Sequence, residues 1–198
     1  MNGMPPSPRR SLRDTSGATV IEFALILPVL LLFILGFLDF GYWMYVRSTA
    51  AGALEGVARS AGVGGLGYDP AGSQTLVENK IKRIAPNATF VWDPRSYYQF
   101  SGINKPEKLI TDVNNNGAYD TGDCYEDLNG NNTYDLTPGR SGIGGADDIL
   151  FYKLTVTFPP LVSIAKFVPG LGGNHTSVLN TTVRRQPFAA QATPAIRC

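Results

Sequence analysis

The strongest pattern in the chain is a run without charge, the sixteen residues from Phe23 to Leu38. Continued through Asp39 to Val46 it spans twenty-four residues. As a helix at ~1.5 Å per residue it reaches ~36 Å, against a hydrocarbon core ~30 Å thick. The run predicts one membrane-spanning helix. Pro28 lacks an amide hydrogen and is expected to weaken or kink it, which membrane helices tolerate. The helical pattern continues past Val46. Ala50, Ala53, Leu54, Val57, Ala58 and Ala61 recur at helical spacing. Ser48, Gly52, Gly56 and Ser60 form a stripe of small residues. Glycine in a helix costs ~1 kcal/mol against alanine, so the stripe predicts close approach of another helix or a strand. "GVGGLG", 62–67, ends the helix.

Shorter patterns follow. "SQTLVENKIKRIAP", 73–86, predicts a second helix with a capping box at Thr75 and Glu78, an apolar face of Leu76, Val77, Ile81 and Ile84, and a stop at Pro86. "ATFVW", 88–92, reads as a strand. "DILFYKLTVTF", 148–158, alternates Leu150, Tyr152, Leu154, Val156 and Phe158 with Phe151, Lys153, Thr155 and Thr157, and is the clearest strand. "TSVLNTTVR", 176–184, predicts another. The expected class is α+β: a long N-terminal transmembrane helix extending into a small exported domain, with a short antiparallel sheet and acidic loops.

Charge and composition narrow the function. A net charge of +1, with no basic tail or basic-aromatic patch, gives no case for nucleic acid. One His and two Cys leave little for zinc or for a Ser-His-Asp or Cys-His site, so an enzyme is not expected. Arg9, Arg10 and Arg13 precede the apolar run and only Arg47 follows it closely. The positive-inside rule then keeps the N-terminus in the cytoplasm. Tyr42, Trp43 and Tyr45 are placed at the far interface as an aromatic belt. Asp39, near that end, is expected to reach water.

Glu22 is the residue out of place, since an intramembrane carboxylate costs several kcal/mol unless paired or interfacial. It is the fifth residue after Gly17, which joins a short basic leader to the apolar run. This G-x-x-x-x-E-F pattern resembles the class III signal of type IV pilins and pseudopilins. The resemblance implies cleavage between Gly17 and Ala18 by a membrane aspartic peptidase. It also implies that Glu22 of one subunit pairs with the new ammonium of Ala18 on a neighbour. The opening "SGATVIEFALILP" is closer still to TadE-like pseudopilins of tight-adherence pili. "GGADDILFYKLTVTF" and "VRRQPF" are weaker points of likeness, and "RRQP" departs from the Arg-Asn-Glu-Pro of relatives. The implied outline is pilin-like: a leader at 1–17, a transmembrane and extended helix at 18–62, and an exported domain at 63–198. The implied partners are the prepilin peptidase, the major pilin and other pseudopilins, the inner-membrane assembly platform and membrane lipid. The implied place is the bacterial inner membrane, crossed once, with the C-terminal domain periplasmic, and then the pilus or cell surface.

Residues 112–135 hold a near-repeat offset by fifteen residues. In copy one Asp112, Asn114 and Asn116 stand at positions one, three and five, Gly117 at six, Asp120 at nine and Asp123 at twelve. This is the ligand spacing of a calcium loop. Copy two has Asp127, Asn129 and Asn131, then Asn132 at six and Asp135 at nine. Its twelfth residue, Pro138, has no side-chain ligand, so a borrowed one such as Glu126 is expected. Eight acidic residues and one basic residue, Arg140, lie between Thr111 and Asp148. Without a cation the carboxylates would repel. Weak, extracellular-type Ca2+ binding is the expectation. No amphipathic helices flank the loops, so an EF-hand fold is not implied. Cys124 and Cys198 could join, closing a loop of about 75 residues worth about 4 kcal/mol in the chain-entropy model. They could also remain thiols, or Cys198 could bond another chain.

These expectations describe a pseudopilin that takes part in assembling a pilus. The competing reading is a secreted or membrane-anchored calcium-binding adhesive module outside any pilus. "AGA", 51–53, would then serve a general signal peptidase and leave Leu54 first.

Overall fold

The structure, a computed structural model, describes residues 16–163 and 172–198. The leader residues before Ser16, with Arg9, Arg10 and Arg13, lie outside the described residues. Contacts divide the chain into two units. One runs to Trp43 and takes in the segment from Pro160 to Gly173; the other comprises Met44–Pro159 and Asn174–Cys198.

Helix α1 is continuous over Ser16–Val63, 48 residues, and passes through Pro28. From Gly17 it is long and apolar enough to cross a membrane, and its most apolar stretch is not buried within the chain. In the second unit, from Met44 on, α1 changes character. Ala50, Leu54, Val57, Ala58 and Ala61 are buried at helical spacing, as the apolar pattern predicts, and Val46 joins them; Ala53 is only half-buried. The small-residue stripe behaves otherwise. Ser48, Gly52, Gly56 and Ser60 are exposed, and nothing lies within 4 Å of a Cβ built on Gly52 or Gly56. Among the described residues no other element packs directly on Gly52 or Gly56. The helix stops where the glycines begin, with the Gly64 amide donating to Ser60 O.

Helix α2 spans Pro70–Lys82, three residues earlier than "SQTL" suggested. Asp69 is its N-cap residue and Pro70 supplies a preset φ in the first turn. The expected capping box does not form. Thr75 lies inside the helix and its hydroxyl donates to Ala71 O, while Glu78 accepts from Trp92 Nε1 at 3.1 Å and from Lys82. Val77 and Ile81 are buried, but Leu76 is 73% exposed, so the apolar face is narrower than the pattern implied.

The main sheet is antiparallel, in the order β4-β1-β5-β6. It comprises β1 (Thr89–Tyr97), β4 (Arg140–Ser141), β5 (Ile149–Phe158) and β6 (His175–Arg184). Strand β5 is central, and its alternation sets the core. Leu150, Tyr152, Leu154, Val156 and Phe158 are all 0% exposed, while Lys153 faces out. Tyr152 carries its hydroxyl inside. The cost is met by a 2.9 Å hydrogen bond with the Tyr68 hydroxyl, and burial pushes its pKa well above the usual tyrosine value. Strand β1 runs beyond Trp92, where "ATFVW" ends, and passes through Pro94 to Tyr97. Pro94 still accepts, through its carbonyl, from the Gly142 amide. A smaller antiparallel sheet, β2-β3-β7, joins Leu109–Thr111, Cys124–Asp127 and Ala195–Arg197. These strands have three, four and three residues, too short to show periodicity. The observed class is the expected α+β, with one candidate membrane helix and antiparallel sheets.

"VRRQPF" binds the end of α1 to the loop before β5. The Arg185 guanidinium donates to Gly65 O and Gly144 O at 2.6 Å each. The Arg185 and Gln186 amides donate to Asp148 O and Gly62 O. Arg184 forms a two-point pair with Asp147. Buried Asp148 in turn accepts from the Gly145 amide, Arg140 and Gln191.

Candidate functional site

Two places carry the sequence-predicted residues, and each belongs to one unit. The first is the head of α1. Gly17 is its second residue, and nothing lies within 4 Å of a Cβ built there. Glycine weakens a helix and the first turn has orphan amides, so the helix is loosely held at Gly17. Ala18 and Glu22 lie one turn apart on an exposed surface. Among the described residues Glu22 has no hydrogen-bond or ion-pair partner. Asp39 differs from the expectation that it simply reaches water: its Oδ1 accepts from the Leu161 amide at 2.7 Å.

The second place is the pair of acidic loops, one between β2 and β3 and the other between β3 and β4. They repeat one another closely, copy two adding one bond, from the Gly130 amide to Asp127. At position one, Asp112 accepts from the amides of Asn116 and Gly117; Asp127 accepts from those of Asn131 and Asn132. At positions three and five, Asn114 and Asn116 accept from the amides of Asn116 and Ala118; Asn129 and Asn131 accept from those of Asn131 and Thr133. At position nine, Asp120 Oδ2 accepts from both Asn114 and Asn116 Nδ2, at 2.8 and 2.7 Å. Asp135 Oδ2 does the same with Asn129 and Asn131, at 2.6 Å each. These bonds hold the Asp120 carboxyl below the usual aspartate range. Positions four and six adopt positive φ in both copies: Asn115 and Gly117 at 54° and 76°, Gly130 and Asn132 at 76° and 61°. Glycine or asparagine suits such a backbone, so the two copies exchange these residues without changing the turn.

Position twelve shows what the spacing could not. Asp123, 1% exposed, accepts from the amides of Val113 and Asp120 at 2.9 and 2.8 Å. Copy two has Pro138 in that register, and Glu126 does not replace it; Glu126 lies on β3 opposite Ile196. The replacement is Glu107, upstream of β2. It accepts from Leu128 and Asp135, the amides equivalent to Val113 and Asp120, at 2.7 and 3.0 Å. Glu107 is 2% exposed. Burial pushes its pKa above the usual glutamate range, against the two amides that lower it; Asp127 and Asp135 add to the rise. Only the missing twelfth ligand hinted that an outside acid was required.

The loops also touch through position eight. Tyr119 and Tyr134 stack at 4.5 Å with planes 11° apart, and Tyr125 of β3 meets both edge-on. Cys124, directly after Asp123, is disulfide-bonded to Cys198. The adjoining β7 places Arg197 3.5 Å from Asp127. Copy two therefore has a guanidinium beside its first carboxylate.

For a hard cation the residue types fit, since positions one, three, five and nine of both copies, with Asp123 and Glu107, offer carboxylate or amide oxygen. The arrangement is also satisfied by its own hydrogen bonds. Among the described residues no group of three His, Cys, Asp or Glu side chains is gathered closely enough to hold a metal. Asparagine oxygens would have to complete any coordination.

Comparison with known proteins bears on the helix alone. No curated protein and no solved structure matches the chain. One family model, described as TadE-like protein, matches residues 17–59. The match begins at the glycine ahead of the apolar run and ends within the buried part of α1. Over residues 17–59 this chain is similar to the TadE-like family.

Proposed function

We propose that this chain is a pseudopilin: a membrane-anchored subunit, cut between Gly17 and Ala18 by a prepilin peptidase, that takes part in assembling a tight-adherence pilus. The observation that carries the reading is the head of α1. An exposed apolar helix places an unpartnered Glu22 one turn after the candidate new N-terminus, inside the TadE-like match. A carboxylate in lipid is costly, and pairing with the Ala18 ammonium of another subunit relieves that cost. Glu22 thus favours assembly over the free subunit. The basic leader keeps the N-terminus cytoplasmic and sends the C-terminal domain to the periplasm. The partners are the major pilin, other pseudopilins and the inner-membrane platform. Gly52 and Gly56, with nothing within 4 Å of a Cβ built on either, leave room for a neighbouring helix.

The test is Glu22→Ala, followed by immunoblotting of membranes and sheared pili. Cleavage is expected to survive while incorporation into pili fails. Normal piliation in that variant would remove the pairing argument.

The repeated acidic loops favour a second element of the reading, a Ca2+ bound weakly by the exported domain. Asp112, Asn114, Asn116, Asp120 and Asp123 would hold it in copy one. Asp127, Asn129, Asn131, Asp135 and Glu107 would hold it in copy two, in competition with Arg197. The cation would neutralise carboxylates that otherwise repel, and stiffen the loops. Asp112→Ala is expected to lower the melting temperature only when calcium is present; an equal loss in chelator would assign Asp112 to packing alone.

A further inference from the structure

We propose that the start of the β5–β6 connection is a second lipid contact: Asp39 holds the main chain of Leu161 against the membrane helix, so that Leu161 and Val162 enter the bilayer interface. The inference rests on reading α1 as a spanning helix. Its occupant is lipid, because the segment continues a surface that is itself lipid-facing. Asp39 interrupts the apolar run between Leu38 and Phe40, both exposed. Its Oδ1 accepts from the Leu161 amide at 2.7 Å, within the same unit.

Each partner solves the other's problem. A carboxylate near lipid needs a donor, and a main-chain amide near lipid needs an acceptor. The neighbouring Pro159 and Pro160 have no amide hydrogen to leave unsatisfied. Leu161 is 57% exposed, an apolar side chain left largely uncovered by the described residues. From 159 to 171 the sequence has a single charged residue, Lys166; residues 164–171 lie outside the described residues. A water-facing hairpin connection would ordinarily be polar and rich in turn formers. This one is apolar at the point where it meets the membrane helix.

The experiment uses the full chain in phosphatidylethanolamine–phosphatidylglycerol vesicles. Cys124 and Cys198 are joined, so an introduced cysteine is the sole thiol for a nitroxide. Labels are placed by Leu161→Cys, by Phe33→Cys in the apolar run and by Leu136→Cys in the second acidic loop. Collision with oxygen, which concentrates in lipid, is compared with collision with a water-soluble nickel chelate. The label at 161 is expected to favour oxygen, as at 33, while the label at 136 favours nickel. Adding Asp39→Ala should abolish the oxygen preference at 161, and Asp39→Asn, which keeps an acceptor, should retain it. A nickel preference at 161 with an oxygen preference at 33 would overturn the proposal and leave the spanning helix standing. A nickel preference at 33 would overturn the spanning helix and the proposal with it. An oxygen preference at 161 that survives Asp39→Ala would refute the role given to Asp39.

Discussion

Glu22 and Glu107 are both acids in costly places, and they are resolved in opposite ways. Glu22 has no partner among the described residues, and on the proposed reading its partner is the Ala18 ammonium of another subunit. Glu107 is satisfied inside its own domain by the Leu128 and Asp135 amides. Removing it leaves two donors without their acceptor, at about 1–3 kcal/mol for each that stays buried. Glu107→Ala should therefore lower stability by about 2–6 kcal/mol in chelator, read from denaturant unfolding in detergent. No loss would mean that the carboxylate does not hold the second loop. Its raised pKa also fixes a sign. The folded state binds this proton more readily than the unfolded chain, so the Glu107 contribution favours folding at low pH and is lost as pH rises through its folded pKa. In chelator, melting of the native protein should lose stability across that window, and Glu107→Gln should lose less. With calcium bound the carboxylate is held charged and the dependence should flatten; an unchanged profile would argue against a cation at copy two.

Among the elements, legibility followed length and amphipathic contrast. Helix α1 and strand β5 were readable because many consecutive residues obey one period, and the buried sets matched those periods. Helix α2 was placed late because Thr75 and Glu78 imitate a cap while Asp69 and Pro70 provide the real start. The second sheet was illegible: its strands are held by partners distant in sequence, with Tyr125 opposite Arg197. The calcium-type register showed where the loops bend, yet Glu107 was hidden because it precedes the repeat. Two predictions belong here. Leu154, fully buried on the central strand, should cost about 2–5 kcal/mol as Leu154→Ala, read from the same unfolding curves. A cost under 1 kcal/mol would remove β5 from the centre of the core. Cys198→Ser should cost about 2–5 kcal/mol and speed hydrogen exchange at Ala195–Arg197 and Cys124–Asp127 above the rest of the domain. Uniform exchange across both sheets would show that the bond does not pin β7.

At the scale of the whole molecule, one helix serves two environments. Its first part offers apolar side chains to its surroundings, and its later part offers Val46, Ala50, Leu54 and Ala61 to the core of the second unit. The TadE-like match covers both parts and stops before the sheets. The acidic loops and the disulfide belong to the remainder, for which no curated or solved relative matches. The central claim is that the leader is removed while the membrane helix is kept, so that Ala18 becomes the amine Glu22 seeks. The most direct measurement is the intact mass of the protein extracted from membranes of its native host, without reduction. The account predicts a chain beginning at Ala18 with Cys124 and Cys198 oxidised. A mature chain that retains Met1, or that begins at Leu54, would contradict it.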